Sequence, residues 1–409
     1  MDHDSVISPI GRKYLSLHLT PEVGPIRCRR LVEYFGSVDG VLNAGANLLQ
    51  KVDGIGPAIA RSIVRAARDE RVSEEIDLAR TLGVRMVCAE DAEYPAPLRH
   101  IPDPPLCLYV KGQWQESDAV ALAVVGTRRC SHYGREQACR FGELLGQAGF
   151  TVVSGLARGI DGEAHRGALR AGGRTVAVLG NGLSSIYPQE HEGLAGEIAA
   201  RGALFSEYTL TAQPEAGNFP RRNRIIAGLC LGVLVVEAGK ASGALITARL
   251  ASEYNREVFA VPGRVDDPAH SAGVHSLIRD GAAKLVTCLQ DILDELHEVG
   301  EILGAPPESS LAPSGSADQG RTEGFDAEGE REGARALALS ADERAVFRAL
   351  ADGAEETDTV CALARLPMPR VAAALTALQL KGLARRLPGE RFARAGPGTP
   401  STLPSAPSR

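Results

Sequence analysis

Four stretches of this sequence carry the groups that could hold an anion. In Ser154-Gly155-Leu156-Ala157-Arg158-Gly159-Ile160-Asp161, two glycines and an arginine follow the apolar run Phe150 to Val153 and precede Ala164, His165 and Leu169. An apolar run followed by spacings of three and four reads as strand, turn and helix. Glycine lets backbone N–H groups approach a ligand, and a helix N-terminus adds partial positive charge, so such a turn suits a phosphate. The plainer alternative is that Gly155 and Gly159 serve a tight turn and Asp161 caps the helix. The densest basic run is Asn218-Phe219-Pro220-Arg221-Arg222-Asn223-Arg224. Arginine forks suit phosphate oxygens and a neighbouring phenyl ring can stack on an unpaired base, which is what a single-strand groove uses. Against this, Phe219 can be core, and one arginine can pair with Glu207 or Glu237. Gly126-Thr127-Arg128-Arg129 and Glu237-Ala238-Gly239-Lys240-Ala241-Ser242-Gly243 complete the set.

These loops need a scaffold that brings them together. Apolar runs at Val120 to Val125, Phe150 to Val153, Thr175 to Leu179, Leu231 to Val236 and Val258 to Val261 alternate with helical patterns. Strands apolar at every position, alternating with helices, indicate an α/β fold with a mostly parallel, Rossmann-like sheet covered on both faces. Ligands in such sheets bind beyond the carboxyl ends of the strands, where these loops fall. Gly180-Asn181-Gly182 lies at another such end, but Ser184 and Ser185 follow in place of a third glycine, and there is no P-loop. No nicotinamide, ATP or other cofactor is expected, and no metal.

The chain has 409 residues and a net charge of −6. Residues 301–332 alone hold eight acids against two arginines, a balance of −6. By contrast, residues 126–174 carry eight arginines against four acids, and residues 218–264 seven basic residues against three acids, each a balance of +4. Two basic blocks in one domain make an anion-binding surface if the fold joins them. The eight cysteines form no Cys-x-x-Cys pair, and no long apolar run or signal-like N-terminus is present. A cytoplasmic protein with reduced thiols and no membrane partner is expected.

The remaining segments divide the chain. Residues 1–82 read as a helical domain in which Val23-Gly24-Pro25 and Ile55-Gly56-Pro57 mark two helix-hairpin-helix-like units. Such hairpins hold a DNA phosphate or simply pack. Five prolines between Pro95 and Pro105 read as a connection into the Rossmann-like domain, assigned to residues 83–298. Residues 299–336 are expected to be a disordered acidic linker, residues 337–395 a winged-helix-like domain, and residues 396–409 a disordered tail. The third helix of the winged helix carries Arg370 and little other charge, which fits a protein-contact module as well as a DNA reader.

The order of motifs resembles the DNA-processing protein A family (DprA, also called Smf). The resemblance rests on Val125-Gly126-Thr127-Arg128 with Ser131 and Tyr133-Gly134, on Ser154 to Asp161, Tyr187-Pro188, Ser206-Glu207, Phe219 to Ile226, Ser242 to Ala248 and Val261-Pro262-Gly263. It implies a non-enzymatic protein that binds incoming single-stranded DNA during natural transformation, protects it and loads the RecA recombinase. It also implies a homodimer, placed near Val274, His275, Leu277 and Ile278. By the same resemblance, Gly126, Thr127, Arg128, Ser154, Gly155, Ala157, Arg158, Gly159, Asp161, Phe219, Arg221, Arg222, Asn223, Arg224, Lys240, Ser242 and Gly243 form the DNA site. Arg128, Arg222 and Arg224 would meet phosphates, helped by amides around Gly126, Ser154 and Gly155. Ala244 and Gln189 depart from the family pattern, each removing one polar or basic contact. The alternative is a nucleotide-binding or nucleotide-hydrolysing Rossmann-like enzyme, with Glu237 or Asp161 as acid or base and His165 on the same helix face as Asp161.

Overall fold

The computed structural model describes residues 6–66, 69–296, 341–350, 355–380, 383–387 and 391–394. The expected acidic linker and disordered tail lie outside the described residues. The chain divides into two units, the first ending at Glu295.

The first unit opens with six helices, α1 (Pro9–His18), α2 (Pro25–Phe35), α3 (Val38–Asn43), α4 (Ala46–Leu49), α5 (Pro57–Ala66) and α6 (Arg71–Leu82). Proline at the first position starts α2 and α5, because a missing N–H costs nothing there. Nine strands follow: β1 (Arg85–Cys88), β2 (Cys107–Gly112), β3 (Ala121–Val125), β4 (Thr151–Ser154), β5 (Thr175–Leu179), β6 (Ala203–Ser206), β7 (Gly232–Val235), β8 (Glu257–Ala260) and β9 (Lys284–Leu285). They form one sheet in the order β1-β2-β6-β5-β4-β3-β7-β8-β9. From β6 to β9 every pairing is parallel, whereas β1–β2 and β2–β6 are antiparallel. The crossovers are α7 (His132–Gln147), α8 (Ile160–Arg170), α9 (Glu192–Arg201), α10 (Asn218–Leu229), α11 (Ala244–Glu253) and α12 (Pro268–Arg279), and α13 (Leu289–Glu295) follows the last strand.

All five expected strands form, each buried along its length save the first residue of β8. Two expectations change. The proline-rich stretch is no passage between domains; it connects β1 to β2 through a 3-10 turn, Ala96–His100, within the sheet. The helices of residues 1–82 are not packed apart from the sheet either. Tyr14, Leu15, Leu31 and Ile63 share one buried cluster with Cys107, Tyr109, Leu179 and Leu204 on one sheet face. Ile225, Ile226, Leu229, Ala248 and Val274 cover the other face.

In the second unit, α14 (Ala341–Ala349), α15 (Thr357–Ala364) and α16 (Met368–Leu380) surround a core of Val346, Leu350, Val360, Val371 and Leu375. Strands β10 (Glu355–Glu356), β11 (Ala384–Leu387) and β12 (Arg391–Arg394) pair in the order β10-β12-β11, the layout of a winged helix.

Candidate nucleic-acid interface

The loops after β3, β4 and β7 and the N-terminal turns of α10 meet in one open cavity of about 820 Å³. It lies at the carboxyl ends of the parallel strands, where the topology leaves a crevice.

Its walls are fixed from below. After β3, the Thr127 amide donates to Glu237 O at 2.8 Å, and the Ile160 amide to Thr127 O at 3.3 Å. Gly159, at φ +75°, packs so closely against Thr127 O that a side chain would not fit. A glycine is required there both for conformation and for space. The buried carboxylate of Glu237 accepts from the Ser131 amide at 2.9 Å and the Ser131 hydroxyl at 2.5 Å. Ser131 in turn caps α7 by accepting from the Gly134 amide at 3.0 Å. Any side chain on Gly134 would run into Glu237. Glu237 and Ser131 are thus scaffold residues whose role no local spacing announces, since they lie 106 residues apart in sequence.

The floor is made of polar side chains turned inwards. Asp161 Oδ2 accepts from the Gly155 amide at 3.1 Å and the Ala157 amide at 3.4 Å. The Arg222 guanidinium donates through Nη1 to the carbonyls of Gly155 and Val178 and through Nε to Asn223 Oδ1. Burial is the main force on both groups. It lowers the Arg222 pKa to about 10, leaving it charged at neutral pH, and raises that of Asp161 against the opposing pull of Arg222 and the two amides. Gly155 must be glycine because a Cβ would meet the Arg222 guanidinium.

Several of the residues expected to meet phosphate are engaged within the protein. Arg222 is only 4% exposed and its hydrogen bonds go to the protein. Arg224 pairs with Glu207 at 2.5 Å and Asp103 at 3.1 Å, which is the ion pair the sequence left open. Burial opposes its charge most strongly, but the two carboxylates together raise its pKa. The Ser154 hydroxyl donates to Val124 O at 2.6 Å inside the sheet. The Gly155 amide is taken by Asp161, and Asp161 itself is buried. Arg158 is exposed but forms a two-pronged pair with Glu190, both bonds 2.7 Å. Asn223 is buried, with Nδ2 3.4 Å from Gly243 O, and the Ser242 hydroxyl accepts from the Ala244 amide at 3.3 Å. Val274 is fully buried in its own chain, which removes it from any dimer surface.

The rim is different. Arg128, Arg129 and Lys240 line the cavity, are exposed, and have no acidic partner among the described residues; Arg221 is likewise exposed but lies outside this cavity. Phe219 is half-buried and lines the cavity instead of joining the core. The Arg128 guanidinium lies 4.8 Å from its ring centre, and the half-exposed Tyr187 ring 5.7 Å away. Gly180 makes room for this ring, since a Cβ there would come within 2.9 Å of Phe219 Cδ1. Arg129 and Tyr187 were not among the expected site residues; adjacency to Arg128 was the available signal for the first, and the Tyr187-Pro188 motif for the second.

The residues of the enzyme alternative do not assemble. His165 is fully buried with Nδ1 2.6 Å from Thr175 Oγ1, and burial lowers its pKa to about 3. Asp161 and Glu237 are engaged as described. Among the described residues no cluster of ligating side chains could hold a metal ion, and no helix is long and apolar enough to cross a membrane.

With this geometry in hand, similarity to known proteins is informative. The family model for DNA recombination-mediator protein A matches residues 85–297, that for the DprA winged helix domain residues 330–390, and that for a helix-hairpin-helix motif residues 18–76. Protein Smf of Synechocystis sp. is 34% identical over 91% of this chain and 96% of its own length. DNA processing protein DprA of Streptococcus pneumoniae is 39% identical over 66% of this chain and 92% of its own. The X-ray structure of DNA processing protein A from Streptococcus pneumoniae superposes with a TM-score of 0.61 at 36% identity, covering 69% of this chain and 97% of that one.

Proposed function

This chain belongs to the DNA recombination-mediator protein A family, and on that premise we propose that it binds single-stranded DNA along the groove rim. The observation that carries this reading is the pairing of cations that have no acidic partner among the described residues with a half-buried ring lining the same cavity: Arg128, Arg129 and Lys240 beside Phe219. Cations that track a backbone and an aromatic face that takes a base are the two components of sequence-tolerant single-strand binding. An enzyme would instead need a solvent-facing acid or base, and the buried carboxylates here are tied to amides and a capping serine.

Protection of the strand and loading of the RecA recombinase complete the proposed role, as a mediator rather than an enzyme. A homodimer is part of the same reading. Its surface would comprise His275, Leu277 and Ile278 on α12, without Val274. Support comes from neighbouring apolar exposure, with Leu285 on edge strand β9 49% exposed and Val265 90% exposed.

Fluorescence anisotropy of a labelled oligonucleotide, single-stranded beside duplex, tests the core of the proposal. Tighter, salt-sensitive binding of the single strand is expected. Equal affinity for both forms, or no binding at low salt, would overturn it.

A further inference from the structure

Helix α10 has two faces, and only one of them belongs to the groove. Phe219, Arg222 and Asn223 line the groove, while Arg221 and Arg224 line a second cleft of about 570 Å³. Pro220 borders both, so the two openings lie on either side of the start of the helix. The second cleft is walled by Tyr208, Tyr254, Leu250 and Pro25. Its size is that of a small-ligand pocket, for which roughly 300 to 1,000 Å³ is usual.

Its chemistry is specific. Tyr208 and Tyr254 are half-buried, so each phenol ring keeps an exposed part. Their hydroxyls are already committed, Tyr208 to Asn218 O at 3.1 Å and Tyr254 to Asp103 Oδ1 at 3.2 Å. The rings are thereby held in place and present apolar surface. Asp103 and Glu207 hold Arg224 from the side of the cleft, and their side chains remain 32% and 13% exposed. Two carboxylates against one guanidinium leave acceptor capacity and one net negative charge. At the mouth, Arg221 is exposed and has no acidic partner among the described residues.

We propose that this cleft takes one nucleobase of the strand as it leaves the groove past Pro220, with the adjoining phosphate on Arg221. The proposal rests on the single-strand reading of the groove. A base fits the aromatic walls because every base has a stacking face. Carboxylate acceptors favour a base that carries an exocyclic amino group, and they disfavour thymine, whose corresponding position is a carbonyl oxygen. The cleft therefore gives an otherwise sequence-tolerant groove a preference for amino-bearing bases at one position. An isolated basic side chain of a protein partner would suit the carboxylates but not Arg221, and charge complementarity selects the nucleotide.

The test compares oligo-dC and oligo-dT binding by the full chain, the Tyr254→Ala and Arg221→Ala variants, and Arg128→Ala in the groove. Wild type should favour oligo-dC by about three- to tenfold. Tyr254→Ala should weaken oligo-dC by about fivefold or more and leave oligo-dT nearly unchanged, so that the preference disappears. Arg128→Ala should weaken both alike. Tyr254 also bonds to Asp103, so Arg221→Ala, at an exposed site with no packing role, serves as the second variant. It should reduce oligo-dC binding and its salt dependence. If wild type binds both oligomers equally and neither Tyr254→Ala nor Arg221→Ala changes the ratio, the cleft holds no base while the groove reading stands. If wild type binds neither, the groove reading itself fails.

Discussion

On the floor of the groove Arg222 directs its guanidinium group at carbonyls of the protein, as Arg224, on the other face of α10, does at carboxylates. On the rim, Arg128, Arg129 and Lys240 have no acidic partner among the described residues. The sequence places both kinds in equally basic runs. What separates them is desolvation: an arginine under a turn must be satisfied by the protein, and one so satisfied cannot also neutralise a phosphate. The floor therefore holds shape and the rim holds charge. Charge counted from sequence has to be discounted by the partners that the fold supplies.

The winged helix extends the lesson. Arg370 on α16 is bound by Asp342 of α14 through two bonds of 2.7 and 2.5 Å. The rest of α16 is almost wholly uncharged. That helix has no free cation with which to read a duplex.

The largest effect should come from breaking the floor. Arg222→Ala leaves the buried carbonyls of Gly155 and Val178 without their donor and removes the charge that favours ionised Asp161, and each buried polar group left unsatisfied costs about 1 to 3 kcal/mol. Chemical denaturation should show that loss, and the variant should lose DNA binding in proportion to its unfolded fraction. A stable Arg222→Ala protein with weakened DNA binding would place Arg222 on the rim instead.

A smaller effect belongs to His165, a fully buried base on α8. Its folded pKa is lowered to about 3 from an ordinary 6.5. The unfolded chain takes up a proton as pH falls below 6.5 and the folded one does not, so stability is intact above 6.5 and declines toward 3. The slope is about 1.4 kcal/mol per pH unit, or roughly 2 kcal/mol between pH 6.5 and 5. His165→Gln should flatten the pH dependence of denaturation by about one proton, and an unchanged profile would contradict this account.

The smallest effect is expected at Arg370→Ala. It loses an exposed, solvent-screened ion pair and should leave folding stability nearly unchanged and DNA affinity within twofold. A tenfold loss would show that the winged helix reads DNA after all.

Much of this architecture was legible in the sequence. The strands β3, β4, β5, β7 and β8 announced themselves because burial on both faces demands unbroken apolar runs. Strands β1, β2, β6 and the two-residue β9 were missed. The first three build the side of the sheet that holds its antiparallel pairings, and the five prolines between β1 and β2 gave that stretch the look of a domain border. The glycine-rich turn was found, and Asp161 ties it by accepting from two of its amides. No spacing rule could tell Arg222 from Arg221, because which side of α10 faces the sheet depends on how the helix docks. Nor could the sequence show that Glu237, the candidate acid or base, caps a serine 106 residues away.

The central claim is that the rim, not the floor, binds the strand by charge. It is tested most directly by the salt dependence of single-strand affinity in wild type and in Arg128→Ala/Lys240→Ala. Each phosphate contact on single-stranded nucleic acid contributes a slope of about −0.7. The double variant should therefore bind more weakly at low salt, with a log–log slope flatter by about 1.4 and unchanged folding stability. An unaltered slope in a folded double variant would contradict the account.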